Sequence, residues 1–140
     1  RLAGYTASLA DAGMLLVPEL VRNVPEPSTE HGYLAASELL DLPDRPTALV
    51  AFNDKMAVGA LWAAAERGLS VPGDLSVAGF DDIDVSRATS PALTTVRQPL
   101  QEMGRMAVTL LMRLLSRHAV EALHVSLETE LIVRGSTGPA

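Results

Sequence analysis

A chain of 140 residues suits one domain, or most of one, and can bury roughly two thirds of its unfolded surface. About half of it is hydrophobic and a fifth charged, the balance of an ordinary soluble globular protein; no apolar run approaches the ~20 residues that span a bilayer, and no secretory leader is visible. The net charge of −6 makes this segment a poor partner for a phosphate backbone, and the lack of cysteine excludes disulfides and thiolate metal sites and fits a reducing, cytoplasmic compartment.

Helical periodicity begins at once after Arg1, so the sequence reads as the C-terminal piece of a longer protein. Leu2, Tyr5, Leu9 and Ala12 form the stripe of a first helix that ends at Gly13, a glycine C-cap. Met14 to Glu26 is a connection with room for a short strand over Leu20–Val24. Pro25 and Pro27 stiffen it, and Ser28 or Thr29 caps a second helix from about Glu30 to Leu40, with Tyr33, Ala36, Leu39 and Leu40 on its apolar side. After a turn over 42–46, the five apolar residues Ala48–Phe52 read as a strand covered on both faces, as in parallel sheets. The run stops at Asn53–Asp54, and Met56, Ala57, Ala60, Leu61 and Ala64 then recur at helical spacing as far as Gly68. A turn at Val71–Asp74 leads to a second strand, Leu75–Phe80, which also stops abruptly at Asp81–Asp82. Asp82 to Pro91 is polar with room for one helical turn, and Leu93–Val96 is a short strand. Leu100, Met103, Ala107, Leu110, Leu111 and Leu114 mark the most amphipathic helix, ending near Ser116. Val125–Leu127 and Leu131–Val133 read as short strands, and the tail Gly135–Ala140 as loose.

Residues 48–82 thus form a βαβ unit whose strands both end in polar side chains, and in open α/β sheets that carboxyl edge is where ligands bind. Three side chains there or near it could serve a ligand: Asn53 with one acceptor and two donors, Asp81 able to accept from two adjacent hydroxyls, and Arg1 with five donors in a planar fork. A polyhydroxylated ligand needs that mixture, because each hydroxyl donates and accepts. Asp54, directly before the helix, is assigned to capping; Asn53 can cap or touch ligand, and Asp81 and Asp82 can be ligand contacts or Asx-turn residues. His31, His118 and His124 lie far apart without metal-ligand spacing and read as solvent-exposed. Asp82-x-Asp84 opens like a calcium loop, but Arg87 stands at its glycine position and no closing glutamate follows. No phosphate loop, dinucleotide fingerprint or nucleophile–base pair occurs, so no catalytic residue, metal or cofactor is assigned. Val58 and Trp62 fall away from the crevice and suit core packing or a subunit contact.

The runs Pro46–Ala48, Phe52–Leu61, Gly68–Ile83, Pro91–Pro99 and Leu131–Thr137, with the opening Arg1–Tyr5, resemble the effector-binding domain of the lactose-repressor (LacI/GalR) family, in the family's order and spacing. The resemblance implies a periplasmic-binding-protein-like type I fold, a three-layer α/β parallel-sheet sandwich present here only in its C-terminal portion. Residues 1–96 would be part of the C-terminal subdomain, 97–123 a crossover helix that packs on the amino-terminal subdomain, and 124–135 closing strands. It implies a regulator whose two subdomains close on a small molecule, often a sugar or nucleobase, and so change the spacing of upstream DNA-reading heads in a homodimer. By matching position, Arg1, Asn53 and Asp81 would contact the effector, with Gln98 near the hinge side of the cleft; Val58, Leu61, Trp62, Ala88 and Thr89 would map to the dimer surface. Pro27 stands where family members often carry an aromatic lid. Without the amino-terminal subdomain, the stripe of the 100–114 helix is expected to dock elsewhere on the chain or on a second copy. A solute-binding protein of a transport system shares the fold and is the rival reading. An enzyme on a doubly wound sheet is the third.

Overall fold

The computed structural model describes residues 1–116 and 125–139; His118, His124 and the end of the 97–123 segment lie outside the described residues. Helices α1 (Leu2–Asp11) and α2 (Thr29–Leu40) precede strand β1 (Ala48–Val50), and α3 (Asp54–Glu66) joins it to β2 (Ser76–Asp81). A single helical turn, α4 (Val85–Ala88), leads to β3 (Thr94–Arg97); α5 (Leu100–Leu115) and β4 (Glu130–Ile132) follow. The sheet order is β1-β2-β3-β4, with the first three strands parallel and β4 antiparallel to β3. Ser28 caps α2, accepting from the His31 N–H, while Gly13 and Gly68, both at positive φ, follow α1 and α3 as expected.

The core lies between one face of the sheet and the α2–α3 pair. Ala36, Leu40, Ala57, Ala60, Leu61, Ala63 and Ala64 meet Leu75, Val77 and Leu93 there. Small residues let the two helices touch backbone to backbone. A Cβ on Gly59 would sit 2.1 Å from the Thr29 carbonyl oxygen, and one on Gly32 would sit 2.4 Å from that of Met56. The alanine-rich face of α3 is therefore a fit to close approach and not merely to helix propensity.

Several expectations are corrected. β1 is an edge strand covered on one face only: Leu49 packs on the core, whereas Val50 is 64% exposed. An all-apolar run cannot reveal which of its faces will be covered. Leu20–Val24 forms no strand; a 3-10 turn, Pro18–Leu20, is followed by unpaired extended chain. Val125–Leu127 is not a strand either, because β4 already occupies the free edge of the four-residue β3. The tail is not loose over its first residues. Ser136 is fully buried, its hydroxyl donating to the Val77 carbonyl (2.6 Å) and accepting from the Thr94 N–H (2.8 Å), and the Val77 N–H donates to the Ser136 carbonyl (2.8 Å). Those bonds stitch the start of β2 to β3. Finally, of the two covers expected for α5, the rest of this chain supplies neither a contact face nor a buried position: none of its residues is buried, and Leu100, Met103, Leu111 and Leu114 face solvent in the single chain. The core closes between α2, α3 and the sheet without it.

Candidate functional site

Parallel strands bring the carboxyl ends of β1, β2 and β3 to one edge, and the register sets Asp81 opposite Arg97. Arg1 reaches this edge from the start of α1. Its guanidinium lies between two rings, 4.0 Å from the centroid of Phe80 and 4.4 Å from that of Phe52, and donates to the Phe52 carbonyl. It also donates to Oδ1 of Asp81 (3.1 Å), the oxygen that accepts from Nε2 of Gln98 (2.6 Å). The Arg1 and Asp81 side chains are 32% and 25% exposed, so the pair is held but open to solvent. Arg1, Asp81 and Gln98, three of the four residues placed in the site by resemblance, are thus joined in one hydrogen-bonded cluster.

Asn53 sits beside that cluster but is not bonded to it. Its Oδ1 accepts from the Met56 N–H (2.9 Å), which makes it the N-cap of α3, and its amide donates to the Pro27 carbonyl at 3.4 Å. The capping assignment of Asp54 is therefore corrected. Asp54 is fully buried; Oδ1 accepts from the Thr95 hydroxyl (2.5 Å) and Oδ2 from the Ile83 N–H (2.9 Å). Burial pushes its carboxyl above the usual range, and those two hydrogen bonds offset part of the rise. Gly79 makes room for it: a Cβ there would lie 2.3 Å from Oδ1 of Asp54.

Beneath the rim, Asp81 and Asp82 both have positive φ (113° and 52°), a strained reversal for non-glycine residues that costs of order 1–3 kcal/mol each. It aims the two carboxylates apart. That of Asp82 is 1% exposed and accepts from Arg134 (2.5 Å), Arg97 (2.7 Å), Arg87 (3.3 Å) and the Ser86 hydroxyl (3.0 Å). Burial alone would push this carboxyl up, but the bonds from Arg134, Arg97 and Ser86 outweigh it and hold the group well below the usual carboxylate range. Arg134 also donates to the Leu93 carbonyl (2.8 Å) and to Ser86, so one guanidinium ties the β2 turn, α4 and β3 together. Phe52, Phe80, the Asp82 cluster and Arg134 were all missed from the sequence. The two phenylalanines directly precede the polar strand ends and could have been flagged by that position; Arg134 lies 52 residues from Asp82 and carried no local signal.

Of the residues mapped to a dimer surface, Val58 and Leu61 are only 6% and 8% exposed, Leu61 within this chain's own core. Trp62 is 60% exposed, Ala88 is exposed and Thr89 half-buried. Among the described residues no group of histidine, aspartate or glutamate has the arrangement of a metal site, and no helix is long and apolar enough to cross a membrane.

Parallel strands converging on a half-open, charged rim define an α/β domain with its polar side chains gathered at the carboxyl edge of the sheet. The chain belongs to the periplasmic binding protein-like domain family, which matches residues 1–137. Within it, the chain is similar to LacI-type regulators. The HTH-type transcriptional repressor CytR of Escherichia coli (strain K12) is 42% identical over 137 residues, 98% of this chain and 40% of the repressor. A transcriptional regulator of the LacI family from Sanguibacter keddieii superposes with a TM-score of 0.90 at 38% identity, over 99% of this chain and 52% of that one. The transcriptional regulator CelR, in a cellobiose complex, gives 0.89 at 36% identity, over 96% and 41%. The chain spans about 40% of the length of the curated relatives it matches. These relatives are transcriptional regulators, which favours that reading over the transport and enzyme alternatives.

Proposed function

We propose that this chain is the sensor portion of a LacI-type transcriptional regulator, binding a small hydroxylated effector, a sugar, at the carboxyl edge of β1–β3. Operator DNA is bound by a helix-turn-helix elsewhere in the protein, and effector occupancy alters that binding. The observation that carries the reading is the Arg1–Asp81–Gln98 cluster at the rim, with Phe52 and Phe80 stacked on Arg1. These groups satisfy one another. A diol can exchange into the cluster, accepting from Arg1 or Gln98 and donating to Asp81, without leaving a charge unpaired. Asn53 keeps donor capacity beside it. The complex of CelR with cellobiose supports a sugar as the effector class.

The homodimer is part of the same proposal. Trp62 and Val58, with Ile83 and Val85, line an open hollow of about 710 Å³ on the face that also carries exposed Trp62, a shape suited to a partner subunit's side chains. Leu61 supports this surface from within the core and not by direct contact.

The test is Asp81→Ala in the full-length regulator. Effector influence on operator affinity should vanish while DNA affinity without effector stays nearly unchanged, measured by fluorescence anisotropy on operator DNA. Undiminished induction in the variant refutes the assignment.

A further inference from the structure

Arg97 occupies a junction in this fold. In register it is the partner of Asp81 on β2 and of Glu130 on β4, and it immediately precedes Gln98, whose amide holds Asp81. Its guanidinium divides its donors between two carboxylates: Nε to Oδ2 of Asp82 (2.7 Å) and a terminal nitrogen to Oε2 of Glu130 (3.0 Å). The Asp81–Asp82 turn is strained at both residues, so it keeps its shape only because its surroundings hold it. Arg134, 14% exposed, and Ser86 hold Oδ1 of Asp82, and Arg97, 43% exposed, holds Oδ2 from the β3 edge beside the longer contact from Arg87. Beyond Gln98 the chain leaves as α5, which packs into nothing else here, and β4 brings it back.

We propose, resting on the sensor reading above, that Arg97 is a positioning residue for the effector site: by gripping Asp82 it sets the Asp81 carboxylate at the rim, and by pairing with Glu130 it makes that setting depend on where β4 lies. Movement of β4 relative to β3 shifts the guanidinium and with it the turn. Occupancy of Asp81 in turn favours one placement of the strands that carry the chain out of this unit. The fork matters to this role, since a lysine at the same place supplies the charge to one carboxylate at a time.

Removing the Arg97 side chain leaves no buried orphan, because Asp82 keeps Arg134, Arg87 and Ser86. Arg97→Ala is therefore expected to fold. The experiment uses the full-length regulator and a fixed panel of neutral probes: glucose, galactose, ribose, cellobiose, adenosine and cytidine. Calorimetry gives the affinity of whichever probe binds the wild type, and anisotropy gives operator affinity with and without it. Arg97→Ala should bind that probe about tenfold more weakly, the scale of one charge-assisted hydrogen bond, with operator affinity in its absence within about twofold of wild type. Arg97→Lys should recover the probe affinity in part while the probe's effect on operator affinity stays reduced. A residue that only stabilises the fold would instead lower the melting temperature and weaken operator and probe binding together, which overturns the proposal. So does an Arg97→Ala variant that binds and responds like the wild type. If no probe shifts the wild type, the sensor reading itself fails, and the two failures are thereby told apart.

Discussion

The turn at 81–83 and helix α5 are opposite cases. The turn is polar and strained, yet its Asp82 is among the least exposed side chains and has four partners. α5 carries the strongest apolar stripe in the sequence, yet none of its residues is buried. Hydrophobicity states a demand for cover; it does not supply the cover. Polar groups here are buried because the partners that repay their desolvation arrive from four directions.

That contrast can be broken most sharply at Asp82. Asp82→Ala leaves Arg134 facing an empty, buried site and should lower stability by about 3–5 kcal/mol, read from urea unfolding. The same variant should change the pH dependence. The folded-state carboxyl titrates well below its unfolded value, so it contributes stability above the ordinary carboxylate range and loses it as the pH falls through and below that range. Asp54 has the opposite sign, its contribution being lost as the pH rises through its elevated folded value. The wild type should therefore lose stability on acidification from pH 5 to pH 3 more steeply than Asp82→Ala.

A smaller effect is expected where α2 meets α3. Gly59→Ala adds one methyl group against the backbone of Thr29 and Tyr33, and should cost about 1–3 kcal/mol although alanine is the better helix former. The least effect belongs to α5. Leu111→Gln and Leu114→Gln remove apolar groups already in solvent, and the unfolding free energy of this chain should change by no more than about 0.5 kcal/mol. A cost of 2 kcal/mol or more would mean that α5 is covered after all, and the contrast would collapse.

Much of the scaffold was legible. The helix stripes, the Gly13 and Gly68 stops, the Ser28 cap and the βαβ order all appear in the structure near their expected positions. These depend on contacts within a few residues, and the sequence displays such neighbours directly. The rim was legible in part: Asp81 was singled out because it ends a buried strand, and it does meet Arg1 and Gln98. Of its two expected roles Asn53 takes the cap, and Asp54, expected to cap, is buried instead, because which of two adjacent polar residues caps a helix depends on where the other can find a buried donor. For Asp54 that donor is Thr95, 41 residues on.

The amino-acid sequence by itself determined that strands and helices alternate, that the parallel strands end in polar side chains, and that acid and amide groups gather at one edge. Periodicity, capping chemistry and turn residues are local, and each acts within about one turn of chain. Only the tertiary structure decided which carboxylate faces the rim and which is buried under three arginines. It also left one face of β1 uncovered and α5 without a buried residue, and drew Ser136 into the sheet. Those outcomes depend on groups brought together from 40 to 60 residues apart, where packing and charge pairing choose among arrangements that local preference leaves equal.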